Sequence, residues 1–93
     1  MMRKGKWYER ANMHERRCYV NTTILNGLIY AMGGHNGAQR LDTVEKYDYK
    51  TNQWTIVNSM NLARSDASAA TYDNKIYIAG GLNEVINDIN FKY

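Results

Sequence analysis

The chain contains no proline, one cysteine, one phenylalanine and two histidines in 93 residues. Each shortage excludes something. With no proline, no strand edge is blunted by removal of a hydrogen-bond donor. A single cysteine, Cys18, rules out an internal disulfide and fits a reducing compartment. Because it opens a strand-like run, its thiol is expected to be buried and inert. His14 and His35 have no cysteine or paired acid at ligand spacing, so no metal site is expected. No run approaches the roughly 20 apolar residues of a membrane span. No leader of charged, apolar and small segments precedes the first strands either, so a cytoplasmic chain with no membrane partner is expected. No Ser–His–Asp set or carboxylate pair stands out, and the expectation is no enzyme, no catalytic residue and no cofactor.

The net charge of +3 is unevenly placed. Residues 1–17 carry six Lys or Arg against Glu9 and Glu15, and the remainder carries six against seven. Residues 1–6 read as a basic, solvated tail. No aromatic-interleaved basic stripe follows, so nucleic acid is not an expected partner. The run Gly33-Gly34-His35-Asn36-Gly37 is glycine-rich, yet a phosphate loop leads into a helix and a strand follows here.

What the chain does have is repetition. Trp7 recurs as Trp54, Met13 as Met60, Arg17 as Arg64, Ile29-Tyr30 as Ile76-Tyr77, Gly33-Gly34 as Gly80-Gly81 and Asn36 as Asn83, each 47 positions on. A fixed period of this size marks a unit that buries its apolar face only by stacking on a neighbour. Eight tyrosines and two tryptophans favour pleated sheet.

Each unit reads as a meander of short strands. The run from Cys18 to Leu25 stops at Asn26-Gly27, the strongest short hairpin signal, and Leu28 to Met32 leads into Gly33-Gly34. A polar loop over 35–40 follows. Thr43 to Tyr49 alternates with period two, Lys50-Thr51-Asn52 is turn chemistry, and Gln53 to Val57 completes four strands. The second copy runs from Ala67 to Tyr72, turns at Asp73-Asn74, and continues from Lys75 to Ala79. After Gly81 the echo decays, and its third strand is weakly encoded. Small residues at Ala67-Ser68-Ala69-Ala70-Thr71 against Tyr47, Tyr49 and Trp54 suggest sheets narrow at one edge and packed radially, an all-β propeller layout.

These residues resemble the kelch repeat, a β-propeller blade. The resemblance rests on Ile29-Tyr30-Ala31-Met32-Gly33-Gly34, then Val44-Glu45-Lys46-Tyr47-Asp48, then Trp54, Met60 and Arg64. Tyr49, Asn12 and Ser59 stand where the family usually has proline. By resemblance, residues 7–17 form the outer strand of a preceding blade and its loop, with the strand over 7–13. Residues 18–58 form a complete four-stranded blade and 59–93 a second, incomplete one. Gly33, Gly34, Tyr47, Trp54, Gly80 and Gly81 are its structural signature.

The resemblance further implies a protein-interaction module that holds a protein or peptide on its loop face. The partner-binding positions it carries over are Arg17, Arg64, Ser65, His35, Asn36 and Asn83. For the arginines a structural role is the equal alternative, whereas nothing in the sequence requires His35 and Asn36 structurally. In the BTB-kelch adaptors of cullin-3 ubiquitin ligases, cullin-3 is reached through a BTB domain, which these residues do not encode. Actin-binding or scaffold kelch proteins, and a truncated product without function, are the alternatives.

Overall fold

The computed structural model describes residues 2–3, 5–7, 9–80 and 89–92, with backbone alone for 2, 3, 6 and 89–92. The strands are β1 (Met2–Arg3), β2 (Lys6–Trp7), β3 (Asn21–Leu25), β4 (Leu28–Met32), β5 (Val44–Asp48), β6 (Gln53–Val57), β7 (Ser68–Tyr72), β8 (Lys75–Ala79) and β9 (Ile89–Lys92). They form antiparallel sheets in the orders β1-β2, β3-β4-β5-β6 and β7-β8-β9. Among the described residues there is no helix.

Local chemistry sets the register. Asn26 (φ 54°) and Gly27 (φ 77°) supply the two positive dihedrals that a type I′ turn requires. The β3–β4 hairpin therefore closes from Asn21↔Met32 to Leu25↔Leu28. Asp73 (φ 52°) and Asn74 (φ 61°) do the same for β7 and β8. Asn and Asp tolerate this region because their short polar side chains bond locally.

The core lies between the repeats. Met32 and Val44 from the first sheet meet Ile76 and Ile78 from the second, with Met60 of the connecting segment sealing the seam. Leu25, Val57 and Ala69 pack around them. Neither sheet buries this face alone, which is the stacking that the 47-residue period implies. The first strands of the two sheets also touch. Thr23 Oγ1 lies 3.1 Å from Thr71 Oγ1, Thr71 Oγ1 donates to Ile24 O at 2.9 Å, and Asn21 Nδ2 donates to Ala67 O.

Three expectations are revised. The strand expected over 7–13 appears only as Lys6–Trp7, paired with Met2–Arg3 across Gly5, so the expected basic tail contributes to a hairpin. Residues 9–13 run instead as an irregular segment along the first sheet. Cys18 is exposed rather than buried. It makes an isolated bridge to His35 and lies ahead of β3, because Tyr19 (φ 54°) turns the chain before the strand begins. The weakly encoded third strand of the second sheet is present as β9, with a bulge opposite Ile78 and Ala79. Gly81 and Asn83 lie outside the described residues.

Candidate protein-interaction site

The loop end of the first sheet is built around an internal ion pair. Glu45 alternates with Val44 on β5, and its side chain is wholly buried, as is that of Arg17. Glu45 Oε1 accepts from the His14 amide at 2.7 Å, and Oε2 from the Glu15 amide at 3.0 Å. Oε2 also takes Arg17 Nη2 at 3.0 Å and Nε at 3.3 Å. Arg17 Nη1 donates to Gly33 O and Thr43 O at 2.8 and 2.9 Å, and Nη2 to Thr43 Oγ1 at 3.0 Å. Every nitrogen of the guanidinium is engaged, so the desolvated charge is both paired and hydrogen-bonded. The clamp ties the incoming segment, the end of β4 and the start of β5 into one unit.

Glycine makes this closeness feasible. A Cβ on Gly33 (φ 64°) would stand 2.4 Å from Arg64 O and 3.2 Å from Leu41 O. Gly34 N donates to that same Arg64 carbonyl at 2.7 Å.

Arg64, the counterpart of Arg17, is 1% exposed. Its Nη1 donates to Gly80 O at 2.6 Å, the counterpart of the Arg17–Gly33 bond. Its Nε and Nη2 are buried without a hydrogen-bond partner among the described residues. Desolvation pulls the Arg64 guanidinium below its ordinary pKa. Ser65 is also buried, at 3% exposure. Both sit in the seam, where the Arg64 amide donates to Leu41 O and the Asp66 amide to Tyr19 O. Arg17, Arg64 and Ser65 thus point their chemistry inward, in keeping with the structural alternative for the arginines, and are not presented on the loop face.

The loop over 35–40 is self-supporting. Asn36 Oδ1 accepts from the amides of Ala38 and Gln39 at 2.8 and 2.9 Å, an Asx-type turn. Asn36 Nδ2 reaches Glu15 Oε1 at 3.3 Å. Asn36 therefore has a structural role beside the contact role that the resemblance carried over to it. His35 Nδ1 accepts from the Gly37 amide at 2.9 Å, which leaves Nε2 to carry the proton of the neutral ring. Isolated bridges set Cys18, His35 and Arg40 side by side across the top of the sheet. Arg16, Cys18, Gln39 and Arg40 are exposed there, and His35 is half-buried. Of the expected contact residues, the described loop face presents His35 and, partly, Asn36. It adds Arg16, Gln39 and Arg40, which sequence reasoning missed because they lie outside the carried-over positions.

The Kelch motif matches residues 16–61 and 63–91. The chain belongs to the kelch-repeat family. The Kelch repeat-containing protein kel-10 of Caenorhabditis elegans is 45% identical over 83 residues, covering 84% of this chain and 14% of that protein. A Kelch repeat and BTB domain-containing protein of the same organism matches with the same identity and coverage, 45%, 84% and 14%. Alpha-scruin of Limulus polyphemus is 30% identical over 83 residues, 88% of this chain and 9% of that protein. The solved structure of YjhT superposes with a TM-score of 0.76 at 26% identity, over 84% of this chain and 25% of that one. The chain therefore spans about one seventh of the length of the first two relatives.

In this kelch chain the remaining signature residues hold the blade to the segment entering it. The Tyr47 and Trp54 rings meet at a tilt of 42° with their centroids 4.9 Å apart. Tyr47 Oη accepts from Arg10 Nε at 2.8 Å and donates to Asn52 Oδ1 at 2.7 Å. Trp54 Nε1 donates to Ala11 O at 2.9 Å. These kelch aromatics fasten residues 10–14 across the sheet and take no part in the loop face. Among the described residues, no group of three His, Cys, Asp or Glu side chains stands ready to hold a metal.

Proposed function

We propose that this chain is part of the substrate-recognition propeller of a BTB-kelch adaptor for a cullin-3 ubiquitin ligase, acting in the cytoplasm. It holds a protein or peptide on the loop face of its blades and performs no catalysis. The observation carrying this reading is the braced loop over 35–40 beside Cys18, with Arg16, Gln39 and Arg40 exposed on it. A loop already fixed by its own Asn36 loses little entropy on binding, and exposed guanidinium groups suit acidic or phosphorylated segments. Cullin-3 would be engaged by a BTB domain elsewhere in the full-length product, as the BTB-containing relative suggests. The wording of Arg16-Arg17-Cys18-Tyr19-Val20 beside Ile29-Tyr30-Ala31-Met32-Gly33-Gly34 resembles kelch-like protein 10.

Partner contacts at His35, Asn36 and Asn83 belong to this proposal. Arg16, Gln39 and Arg40 join them, and Arg17, Arg64 and Ser65 act from behind. A second reading, an actin-binding or scaffold kelch protein, draws on the match to alpha-scruin. The two readings separate in one experiment on the full-length product. Under the adaptor reading it binds cullin-3, and the double change Arg16→Ala with Arg40→Ala abolishes substrate binding while sparing cullin-3. Co-sedimentation with filamentous actin and no affinity for cullin-3 would replace it with the scaffold reading.

A further inference from the structure

Among the described residues, six other than glycine adopt a positive φ, and five of these are Asn or Asp: Asn26, Asn52, Asp66, Asp73 and Asn74. The sixth is Tyr19, at φ 54°. Short polar side chains tolerate this region by bonding locally, whereas a bulky residue there is an outlier. The fold imposes the conformation. Asp66, the counterpart of Tyr19 in the second repeat, takes the same turn at φ 59°, and its amide donates to Tyr19 O at 3.1 Å. On the other side, the Cys18 amide donates to His35 O at 2.9 Å and the His35 amide to Cys18 O at 2.8 Å. The backbone at Tyr19 is thus pinned before and after, in a shape that suits Asp and strains an aromatic.

Nothing in the packing offsets that strain. Tyr19 is 67% exposed and has no place in the core between the sheets. Tyr47, in comparison, is buried against Trp54. A strained ring turned to solvent costs stability without gaining burial, the pattern of a residue whose contact lies outside the fold. Its position fits such a contact. Tyr19 directly follows Cys18, which is bridged to His35 and through it to Arg40, and the exposed Arg16 lies just ahead of them.

We propose that Tyr19 is the apolar anchor of the loop face, on which a bulky apolar side chain of the bound peptide rests. Resting on the peptide-binding reading above, this narrows the partner to a segment with an acidic or phosphorylated residue beside a bulky apolar one. The two chemistries divide the work. A tyrosine ring supplies a large, rigid contact with few torsions to immobilise, and here its backbone is fixed before the partner arrives. Exposed guanidinium groups add little affinity by themselves and set the orientation of the anionic residue.

The test is selection of a phage-displayed library of random short peptides on the 93-residue chain. Only peptides whose binding is lost in the double variant Arg16→Ala with Arg40→Ala are kept. The kept peptides should carry an acidic residue beside a bulky apolar one. Tyr19→Asn should weaken them about thirtyfold, and Tyr19→Phe should bind them within about threefold of the parent. Tyr19→Asn should also raise Tm by about 4 °C, because Asn accepts the turn that Tyr resists. A gain in stability joined to a loss of binding is a result that a packing role does not produce. Tyr19→Gly repeats both readouts should the Asn variant fail to fold. Undiminished binding in Tyr19→Asn would overturn the proposal and leave the loop-face reading standing, and so would an unchanged or lower Tm. Finding no arginine-dependent peptide at all would remove the loop-face reading, and this inference with it.

Discussion

The two blades share a backbone plan and differ in how they neutralise a buried arginine. In the first, Arg17 sits on Glu45 with every nitrogen bonded, and the incoming segment is tied to the sheet through the same carboxylate. In the second, Arg64 keeps its bond to Gly80 O, and its Nε and Nη2 find no partner among the described residues. Backbone equivalence runs deeper than the sequence echo suggests. Tyr19 and Asp66, Asn26 and Asp73, and Gly33 and Gly80 are pairs 47 apart, and each shares a positive φ. The period therefore preserves main-chain shape more faithfully than side-chain chemistry. The inter-blade core follows from that shape, while electrostatic completeness is set blade by blade.

The largest effect should come from stripping the acid of the complete clamp. Glu45→Gln leaves Arg17 buried and uncompensated and should cost about 3–5 kcal/mol in urea unfolding. A small chain whose whole stability is of order 5–15 kcal/mol would then be close to unfolding at room temperature. A loss under about 1 kcal/mol would show that the buried pair is not what holds the first blade.

A smaller contrast separates the paired glycines. Gly33→Ala forces a Cβ to 2.4 Å from Arg64 O, whereas a Cβ on Gly80 meets nothing within 4 Å among the described residues. Both changes bear the cost of a left-handed residue, about 1–2 kcal/mol. Only Gly33→Ala adds an overlap, bringing its total to about 2–5 kcal/mol. Equal losses would mean that the seam yields and that the close approach is not required. The smallest effect is expected at Tyr47→Phe, which removes the bonds to Arg10 and Asn52 but keeps the ring on Trp54. It should cost about 0.5–1.5 kcal/mol and loosen the segment over 10–14, measurable as faster amide exchange there.

Much of the architecture was legible because it rests on local chemistry. Asn26-Gly27 and Asp73-Asn74 encode their turns in two residues, and the period-two run around Val44 to Asp48 encodes its strand. The site was less legible for a physical reason: its decisive contacts are not local. Glu45 lies 28 residues from Arg17, and on an alternating strand it reads as a solvated charge. Nothing nearby in sequence says that an arginine will be folded over it. Cys18 misled for a different reason. Tyr19 adopts a left-handed conformation that aromatic residues rarely encode, and the strand begins later than its β-branched composition implies. The repeat held a clue at Asp66, the counterpart of Tyr19, since Asp tolerates that conformation. Asn36 was readable in principle, as Asn ahead of Gly37 is turn chemistry. Its carried-over role as a contact residue drew attention away from its own loop.

The central claim is that, among the described residues, the same arginine is satisfied in one blade and left with two unpartnered nitrogens in the other. Equilibrium unfolding of Arg17→Met and Arg64→Met, side by side in the 93-residue chain, tests it most directly. Arg17→Met abandons a buried Glu45 and should lose about 3–5 kcal/mol, whereas Arg64→Met removes an uncompensated charge and should stay within about 1 kcal/mol of the parent or gain. Equal losses at the two positions would contradict the account.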